Sequence, residues 1–366
     1  MLKVLHIVSA LNSGGIENIL LNYYKVLDKE KIRFDFLVHK GNGSLLEKEF
    51  EILGSRIYHI SSQRKNIFRN RKELKAFFLK NSNYDIIHFH HGILSLGVGI
   101  AKKYSPDSKV VIHSHSIFEH NIVVKCFKPL IQKYLIKKAD YYGACSVEAA
   151  TYLYGKKLVR QNKVTIINNA IDTSLFGYNN LYGEELCGEF GINRSVFICG
   201  TVGRFNYAKN PFFILEIVDK LRKVMSNFKF IWVGNGELKE DVKKKIEELG
   251  LDQYIILAGL RKDVYKFYSF FDVFILPSLY EGMPVVSVEC QWNGCPLLLS
   301  NHIPSSAKIA ENCYRLPLES DNWVKHIIAV KNQDIKRENN QEKVATAGYD
   351  IQKEAKKLAN FYEGLS

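Results

Sequence analysis

PSLYEGMPVVSVECQWNGCPLLLS, residues 277–300, follows directly on the apolar run Val273-Phe274-Ile275-Leu276. That run reads as a strand ending at Pro277. A polar turn leads to Glu281-Gly282-Met283-Pro284 and then to an apolar helix carrying Glu289. Pro284 suits the first turn of that helix and Gly294 its stop. Glu289 lies one turn past Val285, so its carboxylate can look back toward the loop of Glu281. Free backbone N–H groups and the helix dipole attract an anion at such a start. Carboxylates accept hydrogen bonds from hydroxyl groups. A strand-loop-helix unit of this composition can therefore hold a polyol and a phosphate together.

Working outward, short apolar runs alternate with helical patterns along the whole chain. Strands are expected at Val4–Val8, Phe34–Val38, Ile57–Ile60, Ile86–Phe89, Val110–His113, Tyr141–Ala144 and Val164–Ile167. Helical spacing recurs at Ile16–Leu27, Leu45–Leu53, Glu73–Leu79 and Lys125–Lys138. Asn168–Asn193 is polar, rich in Gly and Asn and poorly periodic, and reads as a linker. Strands resume at Phe197–Val202, Phe230–Val233, Ile255–Leu257, Val273–Leu276 and Leu297–Leu299. This alternation predicts α/β architecture: two Rossmann-like, doubly wound parallel-sheet domains facing a cleft, with ligands at the carboxyl ends of the strands. The expected domains are residues 1–173 and 174–348. An amphipathic helix over 349–366 is expected to return to the first.

The charge is unevenly placed. Residues 1–173 carry 27 Lys+Arg against 14 Asp+Glu, and the remainder 24 against 24. Two segments, Arg64–Lys80 and Lys125–Lys138, mix cations with Phe, Leu, Ile or Tyr at helical spacing. Either they pack as ordinary amphipathic helices or they lie on an anionic membrane surface. A nucleic-acid groove with interleaved aromatics is not evident. No apolar run reaches the length of a membrane span. The seven cysteines are scattered without CxxC pairs, as expected of reduced thiols in a cytoplasm, and give no structural zinc pattern.

Three further strand-to-helix turns carry chemistry. Ser13-Gly14-Gly15 opens the first helix, and glycines there let backbone approach a ligand. Gly203-Arg204-Phe205-Asn206-Tyr207-Ala208-Lys209 places two cations on one loop, suited to a pyrophosphate leaving group. Gly234-Asn235-Gly236 forms another glycine-rich turn, weak on its own. No Asp-x-Asp motif offers itself in a strand context, so no metal is expected. Histidines gather at two strand ends, His88-Phe89-His90-His91 and His113-Ser114-His115-Ser116. They fit a polar site for sugar or phosphate, or satisfied structural histidines. Neither Cys nor carboxylate accompanies them, which weighs against a metal.

The ordered set Gly14-Gly15, His115, Gly203-Arg204…Lys209, Gly234-Asn235-Gly236 and Glu281…Glu289 resembles glycosyltransferase family 4, retaining enzymes of the GT-B fold. The Glu281-Gly282-x-Pro284 form is similar to the branch of capsular and exopolysaccharide assembly. The resemblance covers nearly the whole chain and implies roles by position. Arg204 and Lys209 would bind the donor diphosphate, and Glu289 the ribose. Glu281 would contact the transferred sugar, with the Gly282, Met283, Pro284 and Val285 backbone holding sugar and phosphate. The base would lie near Gly234, Asn235, Leu260 and Arg261. His115 would be the active-site histidine, with His113 as the alternative register, and His90 nearby. Gly14 and Gly15 would line the phosphate and acceptor side. The resemblance implies a nucleotide-sugar donor, UDP-linked by family weight, and no cofactor. It also implies an undecaprenyl-diphosphate-linked or other lipid-linked acceptor and a peripheral place at the inner membrane face. A UDP-sugar 2-epimerase or a non-catalytic nucleotide-sugar binder of the same fold are the alternatives.

Overall fold

The computed structural model describes residues 1–12, 15–39, 46–63, 65–90, 92, 95–115 and 122–365, with the side chains of 122–125 excepted. Gly14, Arg64, His91 and Ser116 lie outside the described residues, as does Leu45 at the start of an expected helix. The chain divides into two compact units, Met1–Ala170 with Asp350–Ser366, and Ile171–Tyr349.

The first unit runs β1 (Leu2–Val8), α1 (Gly15–Val26), β2 (Ile32–Val38), α2 (Glu47–Ile52), β3 (Ile57–His59), α3 (Ile67–Lys80), β4 (Ile86–Phe89), α4 (Val98–Tyr104), β5 (Lys109–Ser114), α5 (Ile122–Lys138), β6 (Tyr141–Ala144), α6 (Val147–Arg160) and β7 (Val164–Ile166). Its seven strands are ordered β3-β2-β1-β4-β5-β6-β7 and all pair in parallel. Such a sheet needs cover on both faces, which explains the continuous apolar strands. Val4, Leu5, Ile7, Phe34, Phe36, Ile86 and Ile87 are fully buried.

The second unit runs α7 (Asn180–Phe190), β8 (Phe197–Val202), a 3-10 turn (Tyr207–Lys209), α8 (Pro211–Leu221), β9 (Phe228–Val233), α9 (Lys239–Leu249), β10 (Ile255–Gly259), α10 (Val264–Phe270), β11 (Val273–Leu276), α11 (Val285–Asn293), β12 (Leu297–Ser300), β13 (Cys313–Leu316), α12 (Ser320–Lys331) and α13 (Gln341–Thr346). Its strands are ordered β10-β9-β8-β11-β12-β13, again all parallel. The core is built on Trp232, Trp323, Phe205, Phe228 and Phe230 and the aliphatics of α8. The final helix, α14 (Ile351–Glu363), belongs to the first unit and buries Ile351, Ala355, Leu358 and Tyr362. In both sheets the order reverses beside the first strand of the unit, at β1/β4 and at β8/β11. Ligands of doubly wound sheets collect at the carboxyl ends of the strands flanking such a reversal.

Two features depart from the sequence reading. The segment Asn168–Asn193 is not a plain linker, because α7 occupies its second half. Asn179 caps α7 by accepting from the Leu181 amide, and Gly191 ends it in the left-handed region at φ 61°. Gly183 and Gly188 lower its helical signal, although a Cβ at either would meet no close contact. Strand β13 is the second departure. Its CYRL sequence has a mixed burial pattern and lacks the continuous apolar run of the other strands.

Candidate functional site

In the second unit, two strand-end loops lock together through backbone. Gly203 N–H donates to the Val233 carbonyl at 2.9 Å, Phe205 N–H to Asn235 at 3.2 Å and Leu238 N–H to Phe205 at 2.9 Å. A Cβ at Gly234, which has φ +146°, would collide with the Gly203 carbonyl, and one at Gly236 with the Phe205 backbone. Both glycines are therefore required by close approach of main chain. Phe205 is fully buried and stacks on Trp232 with ring centroids 4.3 Å apart. That anchor leaves the neighbouring Arg204 exposed, without an ion-pair partner among the described residues.

The same loop continues into the 3-10 turn, where Asn206 accepts from the Lys209 amide at 3.1 Å. Leu279 N–H donates to the Ala208 carbonyl at 2.8 Å, tying this turn to the loop after β11. Across that seam Lys209 Nζ donates to Glu281 Oε1 at 2.5 Å. Their side chains are only 18 % and 17 % exposed, so the pair is partly shielded and far less screened than a surface bridge. The loop then enters α11, with Pro284 in extended backbone ahead of Val285 and Gly294 closing the helix at φ 81°. The Val285 and Val286 amides have no acceptor among the described residues, leaving donors at the helix start.

Glu289 sits on α11, half-buried. The fully buried Tyr268 donates its hydroxyl to Glu289 Oε2 at 2.5 Å. Burial raises the Glu289 carboxyl to about 7, against the lowering effect of that hydrogen bond. Leu260, on the loop after β10, is 60 % exposed and offers an apolar surface. Arg261, on the same loop, is held by carboxylates. Asp263 receives its Nε at 2.8 Å, Glu189 receives both terminal nitrogens, and the guanidinium lies over the Phe267 ring. It is fastened to α7 and α10 by two carboxylates, which satisfies most of its donors.

Buried His6, His88, His90 and His113, with the partly buried His115, form a column across β1, β4 and β5. His6 Nδ1 lies 2.9 Å from His90 Nε2, and His90 Nδ1 lies 2.9 Å from His115 Nε2. His88 Nδ1 is 2.7 Å from the Tyr362 hydroxyl of α14. His113 stacks on His115 at 3.9 Å between centroids. Ring nitrogens of His6, His88 and His90, and of His90, His113 and His115, fall within 4.8 Å of one another and could meet a metal. The 2.9 Å contacts are hydrogen-bond distances, shorter than the roughly 3.3 Å between ligand nitrogens on a tetrahedral metal with bonds of about 2.0–2.1 Å. Burial lowers the imidazolium pKa of His6 and of His115 to about 3. Burial and the neighbouring rings take His88, His90 and His113 well below the usual value. A neutral ring offers one donor and one acceptor, so the His6–His90–His115 chain links their tautomers.

Acid sensitivity follows. Because folded-state pKa values lie below the unfolded value of 6.5, the unfolded chain binds more protons as pH falls below 6.5. Stability contributed by the column is full above that pH and is lost toward the folded values. The expected slope is about 1.4 kcal/mol per pH unit for each histidine involved. Thermal melts between pH 7.5 and 5 check this: Glu289, raised to about 7, adds the opposite slope for one group, so a net loss of stability on acidification is expected, and a flat or rising profile would count against neutral burial.

Gly15 opens α1 and is exposed, whereas its neighbour Gly14 lies outside the described residues. Sequence reasoning missed His6, Tyr268 and Tyr362. His6 sits mid-strand in an apolar run, and only the β1–β4 register, His6 opposite His88, brings it to the other histidines. Tyr268 lies 21 residues from the carboxylate it serves, a pairing set by tertiary packing.

The model of glycosyl transferases group 1 matches residues 184–347, and that of Glycosyltransferase Family 4 matches residues 13–175. A putative glycosyltransferase, EpsF of Bacillus subtilis strain 168, is 28 % identical over 98 % of this chain and 96 % of its own. A UDP-Gal:alpha-D-GlcNAc-diphosphoundecaprenol alpha-1,3-galactosyltransferase of Escherichia coli is 24 % identical over 99 % of this chain and 96 % of its own. The crystal structure of Anabaena Alr3699/HepE with UDP and glucose superposes with a TM-score of 0.83 at 17 % identity, covering 99 % of this chain and 100 % of that one. Two doubly wound parallel-sheet units, matched along nearly their full length by glycosyltransferases, identify the protein as a glycosyltransferase of the GT-B fold.

Proposed function

We propose that the protein moves a hexose or N-acetylhexosamine, with retention of configuration, from a UDP-sugar to a lipid-linked glycan. The setting we favour is capsule, exopolysaccharide or other cell-surface glycan synthesis, with the enzyme peripheral at the inner membrane face. The observation that carries this reading is the Lys209–Glu281 pair at 2.5 Å, set between the ends of β8 and β11 where the strand order reverses. In this reading Lys209 and Arg204 neutralise the departing diphosphate, and the free amides of Val285 and Val286 take a phosphate oxygen. Glu281 accepts from a hydroxyl of the transferred sugar, and Glu289 from the ribose. His115, held through His90, is the candidate active-site histidine of the first unit. UDP in the HepE structure and the diphosphoundecaprenol acceptor in the E. coli relative's name support the donor and acceptor classes. The basic first unit supports a membrane-bound acceptor.

A panel of UDP-sugars with an undecaprenyl-diphosphate glycan, scored by product mass and by anomeric NMR, tests the reading. Glycan extension with an axial-to-axial outcome is expected. Epimer formation without acceptor would instead identify an isomerase. A second expectation concerns pH. A ribose hydroxyl donates better to a carboxylate than to a carboxylic acid, so UDP affinity should tighten as pH rises through about 7, where Glu289 ionises. Glu289→Gln should flatten that profile in calorimetric titrations. An unchanged profile in the variant would remove Glu289 from the ribose site.

A further inference from the structure

Away from the strand-end loops, helices α3, α4 and α5 enclose a surface cavity of about 600 Å³ in the first unit. Arg71, Lys72 and Lys75 of α3, Lys103 of α4, and Tyr134 and Lys138 of α5 line it. Five cations thus meet around one hollow, and none has an ion-pair partner among the described residues. Two of them share a single ring: Lys75 Nζ is 5.3 Å and Lys103 Nζ 5.6 Å from the centre of Tyr104. A glycine shapes the wall, since a Cβ at Gly99 would collide with the Tyr134 hydroxyl. Like charges held this close without a carboxylate repel one another, and an anion in the hollow relieves that repulsion.

The rim has a second character. On α3, Phe68, Lys72, Lys75 and Leu79 recur at four-, three- and four-residue steps and so share one stripe. On α5, Phe127, Leu130, Tyr134 and Lys138 recur at three-, four- and four-residue steps and share another stripe. The opposite side of α3 is the one that packs inward, through Leu74, Phe77 and Phe78. The outward stripes should be polar, yet Phe68 is 84 % and Leu130 66 % exposed, with Leu79 and Phe127 also exposed. Cations beside exposed Phe and Leu on helix faces match the chemistry of the headgroup layer of an anionic bilayer.

We propose that this cavity is a lipid headgroup site: the phosphate of an anionic phospholipid occupies the hollow while Phe68, Phe127 and Leu130 enter the headgroup region. This rests on the reading of the enzyme as one that serves a lipid-linked acceptor, and it places the contact on a defined set of side chains. The charge cluster supplies long-range attraction and the apolar residues supply the salt-resistant part of the binding. A soluble substrate would have no use for the exposed apolar rim.

Sedimentation of the full chain with lipid vesicles tests the site. Wild type should bind phosphatidylcholine vesicles containing phosphatidylglycerol and should not bind pure phosphatidylcholine. The triple variant K72Q/K75Q/K103Q should lose about a hundredfold in partition, at about fivefold per cation near the surface. F68S should weaken binding with the charge unchanged, and its residual binding should be more sensitive to salt. Calorimetric binding of UDP, measured on the same samples with their melting temperatures, should match wild type in every variant. Equal binding of the triple variant and wild type would overturn the site, as would equal binding to neutral vesicles. Retention on single-stranded DNA in place of vesicles would overturn it in favour of a nucleic-acid surface. Absence of UDP binding in wild type would instead overturn the transferase reading, so the two failures are distinguishable.

Discussion

Lys209→Ala is expected to lower kcat by about 10²–10³-fold and to leave the fold intact. That is the usual consequence of removing one preorganised group aimed at charge that develops in the transition state, about 2.7–4 kcal/mol. The side chain is well placed for it. Its backbone is fixed by the Asn206 cap, its loop is tied to the Glu281 loop through Leu279 and Ala208, and its ammonium is held at 2.5 Å from Glu281. The ion pair orients Lys209 before substrate arrives, so no reorganisation is needed at the moment of bond breaking. Glu281→Ala is expected to fall nearly as far, because it frees Lys209 and, on the proposed reading, removes a sugar contact as well. The double variant should then lose much less than the product of the two single losses, as contacting residues do. Steady-state release of UDP and circular dichroism of all three variants check this. Multiplicative losses would show that the two residues act independently.

Gly234→Ala and Gly236→Ala have the second large effect, on stability and donor binding together. An alanine at Gly234 must adopt φ near +146° and push its methyl into the Gly203 carbonyl, and at Gly236 the methyl meets Phe205 backbone. Backbone cannot rotate aside as a flexible side chain can, so the loop carrying Arg204 must move. A cost of about 2–4 kcal/mol is expected, or roughly 5–15 °C in the melting transition of a unit this size. Gly188 is the contrast. It lies in α7 with nothing within 4 Å of a Cβ, so Gly188→Ala should hold or raise stability by a fraction of a kcal/mol. Calorimetric melts of the three variants, with UDP titrations, distinguish strained from permissive glycines. Equal melting of all three would contradict the interlocked loops.

Much of this was legible in the sequence, for reasons that can be named. Val273–Leu276 and Leu297–Leu299 are continuous apolar runs because parallel strands are buried on both faces. Pro284 and Gly294 bracket α11 because their backbone preferences do so. Glu281 and Lys209 could each be set on a loop at a strand's carboxyl end, where doubly wound sheets collect ligands; that the two loops face each other depends on β8 lying beside β11. What could not be read depended on register or on partners distant in sequence. His6 joins the histidine column only because β1 lies beside β4. Arg261 is occupied because α7 brings Glu189 to it, and α7 itself was obscured by its two glycines and polar surface. The cationic hollow needed three helices assembled, although two of its walls were already visible as basic amphipathic segments.

On the proposed reading, the loops of Lys209 and Glu281, with Glu289 on α11, bind the nucleotide sugar. Isothermal titration of UDP into wild type, Lys209→Ala and Glu289→Ala tests it most directly. Saturable one-to-one binding in wild type, weakened at least tenfold, about 1.4 kcal/mol, in each variant of unchanged fold, is the predicted result. Binding of equal strength in all three proteins would contradict it.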